Sequence, residues 1–301
     1  MQKTPVLAWI LLITLALIWG SSFILIKKGL IALSPEEVGS LRIVSAFLFL
    51  LPVAIFRLRK VEKNRILPLL GSGFLGSLIP SFLFGFAQTR LESAITGVLN
   101  TLVPIFTILI AFALFGQRQT RKVFVGIALG FGGTAILITA GDRGAFGGIN
   151  AFALLVVLAT LCYASNLNLI KSKLNDLHPI TVTSISLALV GPLAIVYLFG
   201  FTGFWEKLST VEGSGISTFY ICLLGVLGTA IALIIFNRIL QLTDPLFTSS
   251  VTYIIPIIAV AWGILDGERI YAIQYLGIFA VGAGVYIANT NRSFQRKNGS
   301  K

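Results

Sequence analysis

Residues 93–117 read SAITGVLNTLVPIFTILIAFALFGQ, running from Ser93 to Gln117 without one charged side chain. A helix rises about 1.5 Å per residue, so a run of this length crosses a hydrocarbon core about 30 Å thick. The run is continuously apolar and does not alternate as a barrel strand would. A helix, which satisfies its own backbone in lipid, is the structure it encodes. Residues 245–268 read PLFTSSVTYIIPIIAVAWGILDGE and follow the same design. Superposing the two prolines sets Pro104 on Pro256, Asn100 on Thr252 and Thr96 on Thr248. One stretch is a spanning helix; two related ones imply a duplicated chain.

Working outward, apolar runs of spanning length occupy 5–26, 36–56, 66–88, 93–116, 121–140, 147–170, 179–200, 216–240, 245–265 and 270–290. The composition agrees. The 301 residues are 56% hydrophobic and 11% charged, with a mean hydropathy of +0.94. A soluble domain carries about 25% charged residues, so a soluble enzyme, a disordered chain and a disulfide scaffold are excluded. The fold expected is an all-α integral membrane protein of ten transmembrane helices. Cys162 and Cys222 both fall inside apolar stretches and read as buried free thiols. The first run goes on to Ile26 with no small-residue cleavage site, and reads as a span, not a leader.

The net charge of +12 would suggest nucleic acid in a soluble protein. Here the basic residues sit in short loops, where they orient the chain. With the N-terminus in the cytoplasm, 16 of the 23 basic residues fall inside: Lys3, Arg57, Arg59, Lys60, Lys63, Arg65, Arg118, Arg121, Lys122, Lys171, Lys173, Arg238, Arg292, Arg296, Lys297 and Lys301. Outside fall Lys27, Lys28, Arg90, Arg143, Lys207 and Arg269, while Arg42 lies within a span. The expectation is a multi-pass protein of the cell (inner) membrane with both termini cytoplasmic. Its partners are the bilayer and a small-molecule substrate, with no nucleic acid, as a monomer or a homodimer.

The duplication extends beyond the two proline helices. Gly73 and Gly76 match Gly225 and Gly228; Gly126 and Gly133 match Gly277 and Gly284; Trp19 and Ser22 match Tyr163 and Asn166. Five spans per half is an odd number, so the second half must lie upside down. Equivalent loops indeed differ in charge. Arg57, Arg59, Lys60, Glu62, Lys63 and Arg65 follow span two, whereas Glu206, Lys207 and Glu212 follow span seven. The organisation expected is a first five-helix repeat over 1–142, a second, inverted one over 143–291 and a basic cytoplasmic tail over 292–301. Inverted repeats are an architecture of secondary transporters, with the site near the midplane between the halves.

Several motifs resemble one family. Trp19-Gly20-Ser21-Ser22-Phe23, Ser34-Pro35 and Leu41-Arg42 are similar to the opening of EamA-type members of the drug/metabolite transporter superfamily. So is the run from Pro256 to Gly267-Glu268, followed by Gly277 and Gly284. The resemblance covers the whole chain. It implies a ten-helix carrier of small organic metabolites, with export of amino acids or related compounds common in the family. The first half departs at Gln117, where the family often has Glu, and that position is given no ion-coupling role.

The cavity candidates are polar or aromatic residues inside spans, where polarity is costly unless it meets a cavity or another helix. Trp19 and Ser22, and their counterparts Tyr163 and Asn166, lie three apart and share a helix face. Interfacial anchoring and helix bridging are the structural alternatives. Pro104 removes the helix bond to the Asn100 carbonyl and Pro256 that to Thr252, with Thr96 and Thr248 one turn back, so two kinked helices either meet a substrate amine or hydroxyl or flex during gating, or neighbouring helices satisfy these groups. Gln88 and Tyr253 are further candidates near helix ends, as is Asn237. Arg42 either snorkels to the outer interface or contacts a substrate anion.

Glu36, Glu37, Glu92 and Glu268 fall at span ends, where solvation or a helix start accounts for them. No Asp or Glu stands at mid-span, which favours facilitated diffusion, exchange, or coupling at a span-end Glu. One histidine, scattered acids and no Gly-rich phosphate loop argue against an enzyme, a metal or a cofactor. Alternating access by an exporter of small organic metabolites is the reading; a flippase or carrier for a lipid-linked or nucleotide-sugar-type intermediate is its rival.

Overall fold

The computed structural model describes residues 6–59, 61–115, 120–139, 150–242 and 251–298. Among them every regular element is helical. The long helices are α1 (Val6–Gly29), α2 (Pro35–Leu58), α3 (Lys63–Ala87), α4 (Ser93–Leu99 and Val103–Phe115), α5 (Arg121–Thr139), α6 (Ala151–Lys173) and α7 (Pro179–Phe201). Then come α8 (Ser214–Leu223, continuing through Ala232–Leu242), α9 (Val251–Leu265) and α10 (Ala272–Asn298). A short helix, Phe204–Thr210, lies between α7 and α8.

Eight of these, α1 to α8, are long and apolar enough to cross a membrane. The ninth and tenth expected spans carry shorter apolar helices, Ile254–Leu265 and Ala272–Ala288. The span expected from residue 245 is described only from Val251. Apolar side chains stand exposed around the outside, among them Leu17, Phe49, Phe124, Leu158 and Val196. In water such a surface would be a liability; against acyl chains it is the required one.

Helix starts follow local chemistry. Ser34 caps α2 in a reciprocal box: the Ser34 N–H donates to Glu37 Oε2 at 2.7 Å and the Glu37 N–H to Ser34 Oγ at 3.4 Å, with Pro35 at the first helical position. His178 caps α7 by accepting from the Ile180 N–H.

Sequence-equivalent helices pack antiparallel. On α5 and α10, Gly126 faces Gly284 and Ala288, while Gly133 faces Gly277 and Val281. A Cβ on Gly133 would stand 2.7 Å from the Gly277 carbonyl oxygen, so both helices need bare backbone there. On α2 and α7, Arg57 Nη1 donates to Thr181 Oγ1 at 2.7 Å, and Glu37 at the opposite end pairs with Lys207 just beyond α7 at 2.9 Å. On α4 and α9, Gly97 meets Ala259 and Ala94 meets Gly263.

Candidate functional site

Trp19, Ser22 and Arg42 collect on one stretch of α8. Residues Leu224–Ile231 there widen into π turns, as Phe74–Leu78 do in α3. A π segment shifts the register of backbone bonding and is frequent at functional sites. Trp19 Nε1 donates to the Gly228 carbonyl at 3.0 Å, and its ring lies 5.6 Å from Phe236 at 40°. Ser22 is buried, donates to Ile18 on its own helix at 3.0 Å, and sits opposite Gly228, where a Cβ would stand 3.1 Å from its Oγ. Arg42 Nε donates to Thr229 Oγ1 at 3.3 Å.

The second half repeats the arrangement on α3. Tyr163 stacks on Phe84, centroids 6.1 Å apart at 28°, and the Asn166 amide occupies the space a Cβ on Gly76 would need. Phe84 also meets Phe23 of α1 edge-on at 5.9 Å, so one ring joins both crossings. Here the polar account differs. Asn166 Oδ1 is buried with no hydrogen-bond partner, and so is Asn100 Oδ1 on α4. Asn100 opens a 3-10 turn, Asn100–Leu102, that interrupts α4 ahead of Pro104 and packs beside α6.

The other candidates distribute as follows. Gln88 closes α3 with both amide atoms buried and unpartnered. Thr96 is fully buried and donates to the Glu92 carbonyl at 2.9 Å. Thr252 is half-buried one turn before Pro256, in a part of α9 that stays helical through the proline. Thr248 and the Tyr253 side chain lie outside the described residues. The structure thus brings together Trp19, Ser22 and Arg42 on α8, and Tyr163 with Asn166 on α3.

Sequence reasoning missed the ends of α1, α4 and α9. Lys27 Nζ lies 2.8 Å from Glu268, 3.0 Å from Asp266 and 3.4 Å from Glu92, and Lys28 pairs with Asp266. The Glu268 side chain is 0% exposed. It accepts from Ser93 N at 3.0 Å, Ser93 Oγ at 2.6 Å and Ala94 N at 3.0 Å, so a residue read as a solvated span end caps α4. Burial alone would raise the Glu268 carboxyl, but hydrogen bonds from Lys27, Ser93 and Ala94 outweigh it and hold the group below the usual carboxylate range. Asp266 is lowered by its bond from Lys28. Glu92 is raised, first by burial and then by the neighbouring Glu268 charge.

The profile of the EamA-like transporter family matches this chain twice, over residues 6–139 and 150–290. The uncharacterized inner membrane transporter YedA of Escherichia coli K12 is 25% identical over 273 residues, 89% of this chain and 85% of YedA. A probable amino-acid metabolite efflux pump of the same organism is 24% identical over 286 residues, 92% of this chain and 93% of the pump. A solved crystal structure shares the fold, covering 93% of this chain and 96% of its own with a TM-score of 0.63 at 17% identity. This is a membrane transporter with several spanning helices, and the chain belongs to the EamA-like transporter family.

Proposed function

We propose that this protein is a secondary transporter, an exporter of small organic metabolites such as amino acids, in the inner membrane with both termini cytoplasmic. Two inverted five-helix halves, 1–142 and 143–291, alternate access to a cavity between them. The observation that carries the reading is the repeated crossing: Trp19 and Ser22 against Gly228 and Phe236, Tyr163 and Asn166 against Gly76 and Phe84. Antiparallel packing of α5 on α10, α2 on α7 and α4 on α9 supports the inversion, because equivalent helices of an inverted repeat run in opposite directions. The relative named as a probable amino-acid metabolite efflux pump supports the substrate class.

Ligand recognition in this reading combines aromatic walls with unspent hydrogen-bond capacity. Tyr163 supplies a ring, and Asn166 and Asn100 supply buried acceptors for an ammonium or hydroxyl group. Arg42 has donors beyond the one given to Thr229 to offer a substrate carboxylate. Trp19, Ser22, Gln88, Thr96, Thr248, Thr252 and Tyr253 complete the proposed lining, and Pro104 and Pro256 provide the flexible points. Solute counterflow in proteoliposomes tests it with labelled amino acids, nucleosides, sugars and lipid precursors. Uptake of an amino-acid-like pool, lost on combining Asn100→Ala, Tyr163→Ala and Thr252→Ala, is expected. Transport that survives the triple change would sink the site assignment, and uptake of lipid precursors alone would turn the reading to a lipid-linked substrate.

A further inference from the structure

The two ends of the helix bundle are tied together in different ways. At the end where α1, α4 and α9 meet, the ties between halves use buried carboxylates: Glu268, 0% exposed, on Lys27, and Glu37, 1% exposed, on Lys207. At the opposite end the ion pair between halves, Arg65 with Asp176 at 2.9 Å, leaves Asp176 52% exposed. The first end is sealed on two buried carboxylates, whereas the second is tied through a half-exposed one.

Among the described residues the charges at the sealed end are not balanced. Two ammonium groups, Lys27 and Lys28, face three carboxylates, Glu92, Asp266 and Glu268, and all three lie within 3.4 Å of Lys27 Nζ. Arg90 and Arg269 on the neighbouring loops are exposed and pair with none of the five. Glu268 is fully engaged by Lys27, Ser93 and Ala94, and Asp266 is shared by both lysines. Glu92 holds the longest contact and is 48% exposed, so the surplus charge falls on it and water can reach it.

We propose that the closed seal binds one proton, on the Glu92 carboxylate, and that opening this end releases it to water. The inference rests on the transporter reading and gives that transporter an ion-binding site at its gate. The exchange is a single O–H bond formed on closing and broken on opening. The charge count then becomes two against two. The linkage has a definite sign. Glu92 is raised in the closed form by burial and by Glu268, so protonation stabilises closure as pH falls through that raised value. The stabilisation is lost as pH rises above it.

Spin labels on Ile31→Cys and Leu265→Cys, both exposed at this end, in a Cys162→Ser, Cys222→Ser background report the opening as a distance. In proteoliposomes at an acidic pH a short distance is expected, with a longer population growing severalfold at an alkaline pH, on the two sides of the raised Glu92 carboxyl. Glu92→Gln, a half-exposed change compatible with folding, stays short at both values; Lys27→Met stays long at both. Glu212→Gln, an exposed acid at the same end, keeps the parent response. An unchanged parent distance, or a Glu92→Gln protein that still responds to pH, would overturn the proposal. No substrate enters this measurement, so its failure is separable from a failure of counterflow.

Discussion

The crossing of α1 on α8 and the crossing of α6 on α3 share a plan and differ in what they leave unpaired. Both set an aromatic ring and a polar side chain against a π-widened helix at a glycine, Gly228 in one and Gly76 in the other. On α1 the polar ring atom is spent, because Trp19 Nε1 donates to the Gly228 carbonyl. On α6 the Asn166 Oδ1 is buried and has nothing. A buried acceptor without a partner costs about 1–3 kcal/mol. In the proposed transporter both crossings line the cavity, but α1 with α8 has committed its ring donor to a joint, whereas α6 with α3 keeps an acceptor for a ligand.

The largest effect should come from the scaffold that holds the two crossings in register. A Cβ on Gly284 would stand 2.6 Å from the Gly126 carbonyl oxygen, and backbone cannot give way as a side chain does. Gly284→Ala should lose about 3 kcal/mol, the upper part of the overpacking range, read as a lowered midpoint in detergent melts. Gly76→Ala presses on the movable Asn166 amide; it should keep most of its stability and lose transport.

Next in size is the contrast between the two rings. Trp19→Phe removes the hydrogen bond to Gly228 and should cost about 0.5–1.5 kcal/mol, the net contribution of one such bond. Tyr163→Phe keeps its stack on Phe84 and should melt within about 0.5 kcal/mol of the parent, while counterflow falls. Equal losses of stability in the two variants would erase the distinction between joint and site.

The smallest effect on stability is expected at Asn166. Leucine there removes an unpaired polar group, so Asn166→Leu should be neutral or slightly stabilising and should still abolish counterflow. A clear drop in melting temperature would mean that the amide has a partner role in the folded protein.

The sequence disclosed much of this plan, and the reasons for the gaps are physical. Continuous apolar runs and matched glycines survive as linear signals, so the helices could be read directly, and the family model matches the chain twice as the proposed duplication expects. Phe84 and Phe236 stand at the same offset as Gly76 and Gly228, so the ring partners were visible to anyone aligning that helix further. Thr96, proposed for the cavity lining, also uses its hydroxyl locally, since a threonine in a helix can bond the carbonyl four residues back, and it does so to Glu92. Hydropathy cannot foretell that choice. The cluster around Lys27 was hidden more deeply, because Lys27 and Glu268 are far apart in sequence and meet only when α1 and α9 pack. Each end taken alone reads as a solvated terminus.

The most direct test of the account is solute counterflow of labelled amino acids by parent, Asn166→Leu and Ser22→Ala proteins, with the melting temperature of each preparation taken alongside. The account predicts uptake by the parent and by Ser22→Ala, and none by an Asn166→Leu protein that melts at or above the parent value. Undiminished uptake by Asn166→Leu, with loss in Ser22→Ala, would put the ligand at the α1 crossing and contradict it.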